Sequence, residues 1–561
     1  MMLAWILTLV GTAIFAPWLQ GRMKSRAGYA LALPPALAAG WLLLHSFGSP
    51  RVETLAWATG LGLDLSFRLD GWSGTFALLI TGIGALVTLY ASHYLEHDPS
   101  GGRFLSALML FMASMVGVVL ADSLVLLFIY WELTSITSYL LIGHDHDRES
   151  ARKAALQAML VTGGGGLLLL AGLVLLGLGT GHWTFSALLA DPGSALRTPL
   201  ATGALVLILG GCFTKSAQVP FHFWLPNAME APTPASAYLH SSTMVKAGVY
   251  LLGRLLPILG AHAWWGPSLQ TAGWLTFLFG AWMVLRTSKA KRVLAYTTLS
   301  ALGLMVLLLG LDSPWSVKAV ALLLPAHALY KGALFLLAGA LDHETGEKDL
   351  ARLGGLRGTL PTLFTGGLLA AASMVGLAPF LGFLAKEVLL EPALALSWPM
   401  LVLALLALAL LGSAGLAVGA SPFLGNRKPT SRAPHAPPFG LWGPPALLGF
   451  AGLTAGAFSG WTTHGVVASA SALAPGTPPW TLSLWHGLTP AFLLGLGALL
   501  GALVLWRFRE FQVAMIGRLP SLAAWGPDAL YGRGLKALVS LATFQTRLLQ
   551  TGYLRHYLRV I

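Results

Sequence analysis

Charged side chains are scarce in this chain. Asp, Glu, Lys and Arg make up 10% of its 561 residues, against 56% hydrophobic. Soluble proteins carry about a quarter charged residues, and no stretch here is long and polar enough to form a separate soluble domain. Cysteine is almost absent. The single Cys212 lies in an apolar segment, which excludes an intramolecular disulfide and a cysteine-built metal or cluster site. No dinucleotide fingerprint, haem-attachment motif or serine-nucleophile motif is present. Gly163 to Gly166 lack a P-loop's lysine and strand context and read as close helix packing. The formal charge of +13 is not gathered into a nucleic-acid-binding arm, because the basic residues sit in short loops between apolar runs. His144-Asp-His-Asp147 has a metal-like composition but reads as a solvated turn. No cofactor and no resident metal is expected.

What the chain does have is long apolar runs. Only helices and closed barrels satisfy the backbone in lipid, and runs of about 20 apolar residues suit helices, since a barrel strand needs only about 10. The sequence predicts an all-α polytopic membrane protein of about fifteen transmembrane helices. They fall near 2–20, 28–46, 72–94, 103–121, 123–143, 153–179, 199–217 (continuing to 230), 236–256, 270–286, 292–311, 315–341, 361–385 (continuing to 397), 399–419, 441–460 and 488–507. Met1 to Gln20 has no basic residue before it and no clear small-residue cleavage site, so it reads as a retained first helix. Between 50 and 70, the alternation of Leu63, Leu65 and Phe67 suggests a short hairpin outside the membrane. The segment 534–560, with Lys536, Arg547, Arg555 and Arg559, reads as an interfacial amphipathic helix rather than a span.

The loops set an orientation. Basic residues follow the first helix (Arg22, Lys24, Arg26), the fifth (Arg148, Arg152, Lys153) and the ninth (Arg286, Lys289, Lys291, Arg292). They follow the eleventh (Lys348, Arg352, Arg357), the thirteenth (Arg427, Lys428, Arg432) and the fifteenth (Arg507, Arg509, Arg518). All fall on one side if the N-terminus is outside, whereas the loop from Gly460 to His486 holds no lysine or arginine. The positive-inside rule then places that basic side in the cytoplasm.

Two segments interrupt the helical pattern with proline, Lys215-Ser-Ala-Gln-Val-Pro220-Phe-His-Phe-Trp-Leu-Pro226 and Gly376-Leu-Ala-Pro379-Phe-Leu-Gly-Phe-Leu-Ala-Lys386. They lie five predicted helices apart, an odd offset that gives the two units opposite topology. Paired interrupted helices in inverted repeats mark a transporter-type ion path; the plainer reading is that both prolines only kink their helices. The expected organisation is 1–102 for helices 1–3, 103–256 for a first five-helix repeat, 270–419 for a second, inverted one, and 441–561 for C-terminal helices and tail.

Ionisable residues inside these runs are the candidate site, because such groups are rare in lipid and mostly functional. Glu132 lies well inside helix five, and Lys215 is its natural cationic neighbour; the alternative is a static structural pair. His240 and Lys246 are six residues apart, about 240° of turn on an unbroken helix, so they would not share a face. His327 and Lys331 are spaced i,i+4, one turn apart on one face, and suit a proton relay completed by water. Lys386, followed by Glu387 and Glu391, is the candidate exit-side proton site, with snorkelling to the headgroups as its alternative.

These stretches carry a resemblance. Trp131 to Gly143 (WELTSITSYLLIG), Lys215 to Pro234 (KSAQVPFHFWLPNAMEAPTP) and His240 to Tyr250 (HSSTMVKAGVY) resemble the proton-translocating antiporter-like subunits of respiratory complex I and its relatives. Leu133-Thr-Ser after Glu132, Asp342-His-Glu-Thr-Gly346 and the junction Thr546 to Arg555 resemble the A-type subunits of the Mrp-type multisubunit cation/proton antiporters. The resemblance implies exchange of cytoplasmic Na+, with K+ or Li+ as further candidates, for external protons. It implies a component inactive alone, within a hetero-oligomeric complex of the bacterial inner membrane, and not an enzyme. It implies a charge pair of Glu132 and Lys215, continued by Lys246, His327, Lys331 and Lys386, with His240 alongside. The A-type subunits of many relatives continue into further helices, whereas this sequence ends at Ile561; the resemblance leaves two expectations, those helices on a separate polypeptide or a shortened form. Other members of the superfamily leave three further readings: a redox-driven complex I or hydrogenase subunit, an inorganic-carbon uptake subunit paired with a soluble zinc protein, or a scaffold.

Overall fold

Apolar backbone in lipid must satisfy its own hydrogen bonds, and nearly every run here does so as helix. A computed structural model describes residues 1–58, 60, 63–478, 480–517 and 525–549. Met1–Gly517 form one compact unit and Arg518–Ile561 a second. The first unit opens with α1 (Met2–Met23), α2 (Ala27–His45) and an antiparallel hairpin, β1 (Arg51–Ala58) with β2 (Leu63–Leu69). There follow α3 (Gly71–Tyr94), α4 (Gly101–Leu120), α5 (Leu124–Ile142), α6 (Glu149–Thr180) and α7 (Ala201–Lys215). The centre holds α8 (Thr233–Ser241), α9 (Ala247–Leu259), α10 (Trp265–Met283), α11 (Ala290–Leu309) and α12 (Pro314–Thr345). Then come α13 (Pro361–Val375), α14 (Leu381–Ala393), α15 (Trp398–Gly419), α16 (Phe439–Ala457), α17 (Ser459–Leu473), α18 (Pro490–Arg507) and α19 (Arg509–Gly517). The second unit contains α20 (Pro527–Leu549), whose apolar Leu538, Val539, Leu541 and Phe544 are exposed; Arg555 and Arg559 of the predicted interfacial helix lie outside the described residues.

Among the described residues, 11 helical stretches are long and apolar enough to cross a bilayer, or up to 12 if α16 and α17, bent by 91°, make one span. The sequence predicted about fifteen, and the difference has physical causes. α1 and α2 follow each other through one 3-10 turn and form a single stretch of 44 residues. α7 and α13 stop at 15 residues each, at the two proline segments. The predicted helix 441–460 is the first arm of the bent pair.

The prolines separate helices rather than kink them. α7 ends at Lys215, and Pro220 precedes a 3-10 turn, Phe221–Phe223, and a short helix, Trp224–Asn227. α13 ends at Val375, Gly376 turns with φ +77°, and α14 starts beyond Pro379. A proline there removes no helical hydrogen bond. A third break was not predicted. The expected helix 236–256 is cut between Ser241 and Ala247, with a 3-10 turn at Met244–Lys246. The 240° argument for His240 and Lys246 therefore fails, because it assumed an unbroken helix. The interruption falls on Ser241-Ser242-Thr243, whose hydroxyls compete for backbone partners; Thr243 Oγ1 donates to Tyr238 O at 2.6 Å.

Contacts sort the loops onto two ends. At one, Ser25 meets Glu96 at 3.0 Å, His144 meets Asp98 at 2.8 Å, and Arg148 meets Glu230 at 3.3 Å. There too Lys291 donates to Ala231 O at 2.6 Å, Lys428 to Ala351 O at 2.8 Å, and Arg509 to Val284 O at 3.1 Å. The basic loops thus share an end. The N-terminal ammonium instead meets Glu53 of the hairpin at 2.7 Å.

The hairpin is stapled to the bundle by a buried ion pair. Arg254 of α9 gives Asp70 two hydrogen bonds, 2.6 Å to Oδ2 and 2.9 Å to Oδ1. Asp70 also caps α3 through Ser73 N at 3.1 Å and receives Arg68 Nε at 2.9 Å. Burial alone would raise the Asp70 pKa; the Arg254 charge and these donors outweigh it and hold the carboxyl well below its usual range. Its stabilising contribution is therefore complete above about pH 4, the ordinary aspartate value, and is lost only as pH falls through the depressed native value. Asp70→Ala leaves a buried guanidinium unpaired and is expected to cost about 3–5 kcal/mol. Arg68→Ala, at a partly exposed site, should cost about 1 kcal/mol or less. Thermal unfolding of the detergent-solubilised protein at pH 7 checks the ranking.

Candidate functional site

Each of the four predicted lysines meets backbone carbonyl oxygen. Lys215 ends α7, and its Nζ crosses to α5, donating to Trp131 O at 2.9 Å and Ser135 Oγ at 2.7 Å, 5.1 Å from the centre of the Trp131 ring. Lys246 ends the 3-10 turn of the third break and donates to Leu324 O at 3.1 Å, beside Pro325 inside α12. Lys331 of α12 donates to Leu294 O at 3.4 Å and to Thr297 Oγ1, both on α11. Lys386 of α14 reaches back to Val375 O, the last residue of α13, at 3.1 Å and to Gly495 O of α18 at 3.1 Å. Lys386 is thus held inside the protein rather than extended toward headgroups. The other three lysines are fully buried. Among the described residues, none of the four has a carboxylate within 4.0 Å.

Glu132 and Lys215 are therefore not in hydrogen-bonding contact, and they act on each other only through longer-range electrostatics. Glu132 is half-buried on α5, with Oε1 buried and without a protein partner. The glycine run of α6 makes room for it. A Cβ on Gly166 would collide with Glu132 Oε1, one on Gly163 would stand 3.6 Å from Oε2, and one on Gly165 would collide with Thr214, next to Lys215. The sequence marked these glycines as close packing; it did not show that the packed group is the carboxylate.

His240 and His327 are buried, and no ring nitrogen of either makes a well-formed hydrogen bond to protein. His240 lies between the rings of Trp224 (6.4 Å) and Phe335 (6.1 Å). Lys246 Nζ reaches Leu324 O, three residues before His327 on α12, so the third break brings Lys246 to the side of α12 that carries His327. Ser216, Ser236, Ser241, Ser242 and Ser373 also have buried hydroxyls without protein partners. Buried polar groups are satisfied by protein or by ordered water, so this file of atoms defines positions that water can take. A cavity of about 60 Å³ lies between Thr297 and Lys386 and is lined by Tyr330 and Ser373 as well. A water needs roughly 15 Å³ of such space, so a short chain fits.

The sequence missed several of these groups. Thr297 and Ser373 carry no signal, since hydroxyl residues are ordinary in membrane helices. Lys291 was read only as a loop cation. Its Nζ donates to Ala231 O, and it lines a cavity of about 270 Å³ with Tyr94, Asp145, Arg148, Glu230 and Asp342 at the basic end. The His144 turn holds Asp98, His144 and Asp145 with ligand atoms within 4.8 Å of one another. Each already has a protein partner: His144 and Asp98 pair at 2.8 Å, and Asp145 takes Arg148 at 2.7 Å.

The fold has known relatives. Residues 121–412 match the family described as NADH:quinone oxidoreductase/Mrp antiporter, TM, and residues 57–105 match NADH-ubiquinone oxidoreductase (complex I), chain 5 N-terminus. A probable K(+)/H(+) antiporter A/B subunit of Rhizobium meliloti is 41% identical over 84% of this chain and 48% of its own length. The Na(+)/H(+) antiporter A subunit of Alkalihalophilus pseudofirmus is 36% identical over 92% of this chain and 68% of its own. A chain in the structure of the Mrp complex from Dietzia sp. DQ12-45-1b superposes with a TM-score of 0.88 at 32% identity, covering 100% of this chain and 61% of that one. The chain thus spans about half to two thirds of the length of these relatives.

The glycine cradle gives a direct test. Gly166→Leu should displace the Glu132 carboxylate and lower the stability of the detergent-solubilised protein by about 1–3 kcal/mol in thermal unfolding. Gly164→Leu, whose Cβ would meet nothing within 4 Å, should leave it near wild type.

Proposed function

The chain belongs to the NADH:quinone oxidoreductase/Mrp antiporter transmembrane family, among the antiporter A subunits, and we propose that it moves protons within a multisubunit monovalent cation/proton antiporter. The exchanged ions are cytoplasmic Na+ and external protons, with K+ as the alternative cation that one relative's name suggests. The other subunits of the complex are its partners, and the chain alone is inactive. It resides in the bacterial inner membrane with the N-terminus outside; support comes from the shared end of the basic loops and the opposite placement of the N-terminal ammonium.

The path runs along Glu132, Lys215, His240, Lys246, His327, Lys331 and Lys386. The observation that carries this reading is the file of buried cations held by neutral oxygens, interspersed with polar atoms that have no protein partner. A carbonyl dipole solvates an ammonium without adding the full negative charge that would pin its proton. Neighbouring sites act on one another: two unit charges about 8 Å apart interact by roughly 2 kcal/mol at an effective dielectric of about 20. A proton arriving at one lysine thereby favours departure from the next. The cavity at Lys291 is the cytoplasmic mouth.

The architecture that suits this role is the fifteen-helix one. α1 and α2 cross separately, and the short α7 and α13 complete their crossings through the segments beyond their breaks. Two inverted repeats, 103–256 and 270–419, each supply one proline break, flanked by 1–102 and 441–561. A redox-driven subunit remains the second reading, because the matching family also covers NADH:quinone oxidoreductase; iron–sulfur subunits in the purified complex would establish it.

Lys215→Ala or Lys331→Ala in the assembled complex should reduce Na+-dependent dissipation of ΔpH in inverted vesicles to below about a tenth of wild type. Intact transport in both variants, with the complex assembled, would leave only a scaffold role.

A further inference from the structure

Arg509, just beyond the last apolar helix, is buried without an anion. It is 6% exposed, and no carboxylate among the described residues lies within 4.0 Å of it. Its Nη2 donates to Val284 O at 3.1 Å and Thr287 O at 3.5 Å, while its Nη1 is buried with no protein partner. Burial lowers its pKa to about 10, so it remains charged at neutral pH. A buried charge is normally paired, and an unpaired one is rare enough to indicate a missing partner.

The surroundings indicate what that partner is. Arg509 lines a cavity of about 930 Å³ together with Ser288, Ser421, Arg507 and Phe511. Glu510, the acidic residue on its wall, is engaged by Lys428 at 3.7 Å, so the cavity keeps a net positive lining. Its rim is apolar: Phe508 and Phe511 are 55% and 65% exposed. The cavity opens where α18 ends, at the level where a membrane span gives way to headgroups, and basic pockets at that level bind anionic lipid headgroups. Guanidinium groups suit phosphate because they offer paired donors.

We propose that this cavity is a binding site for an anionic phospholipid, with Arg509 donating to the headgroup phosphate and the acyl chains lying along Phe508 and Phe511. A free phosphate ion would not use the apolar rim, and a protein carboxylate would not need so large a cavity. The site is separate from the lysine file and does not rest on the transport reading.

The test uses the complete complex, purified and delipidated in detergent, with thermal unfolding followed on adding phosphatidylglycerol, phosphatidylcholine or inorganic phosphate. Phosphatidylglycerol should raise the midpoint by several degrees, phosphatidylcholine by less than half as much, and inorganic phosphate not at all. Arg509→Gln should abolish the difference between the two lipids. Val513→Trp, which fills the cavity from its wall and leaves Arg509 in place, should do the same. Phosphatidylglycerol that co-purifies with the wild-type complex, quantified by native mass spectrometry, should exceed phosphatidylcholine; this readout holds even if Arg509→Gln does not assemble. Equal shifts with both lipids, an equal shift with inorganic phosphate, or lipid selectivity retained in both variants would overturn the proposal.

Discussion

An ammonium group inside a membrane bundle needs oxygen around it, and a helix carbonyl already bonded within its own helix still has a second lone pair to offer. Here most of that oxygen comes from continuous neighbouring helices, at Trp131, Leu324, Leu294 and Gly495, while the breaks place two of the lysines and free one acceptor, Val375. α7 stops at Lys215, the third break delivers Lys246, and α13 stops at Val375, whose carbonyl receives Lys386. Lys331 lies on a continuous helix and is met by Leu294 and Thr297 of α11. Helix breaks thus place buried cations, and neutral oxygens on packed neighbouring helices receive them. Carboxylate partners would meet that requirement more strongly and would also hold the proton in place. In the proposed reading, their absence within 4.0 Å of all four lysines, among the described residues, suits the row to passing charge along.

The structural load is carried by a different kind of contact. At the hairpin end, Asp70 and Arg254 form a close two-point pair supplemented by Arg68 and a helix cap. Such a pair fixes geometry and resists titration near neutral pH. The two arrangements share one bundle but use opposite electrostatics: full countercharge at the hairpin staple, neutral oxygen around the lysines of the proposed proton path.

Much of this was legible because charge is rare in the chain. Lys215, Lys246, Lys331 and Lys386 stand out against long apolar runs, and the prolines near two of them mark the breaks. The i,i+4 spacing of His327 and Lys331 placed both on one face of α12. Other features left no trace in composition. The third break falls on serines and a threonine, which occur in unbroken membrane helices as well, so the apolar run 236–256 read as continuous. Gly166 signalled close packing but not its partner, since Glu132 lies on another helix. Glu132 and Lys215 were expected as a charge pair, and the ammonium of Lys215 is held by Trp131 O and Ser135 Oγ rather than by the carboxylate. Lys291 was hidden among loop cations, and Ser373 and Thr297 among common hydroxyls. Apolar length alone did not show the 3-10 link between α1 and α2, the shortness of α7 and α13, or the 91° bend between α16 and α17.

The central claim is that the lysines work because their partners are neutral. Thr297, the hydroxyl partner of Lys331, is the place to test it. Thr297→Asn keeps a neutral polar partner, whereas Thr297→Asp supplies a countercharge that pins the proton on Lys331. Na+-dependent ΔpH dissipation, measured in vesicles of the assembled complex, should stay within about twofold of wild type for the first and fall to below about a tenth for the second. Equal transport by the two variants would contradict the account.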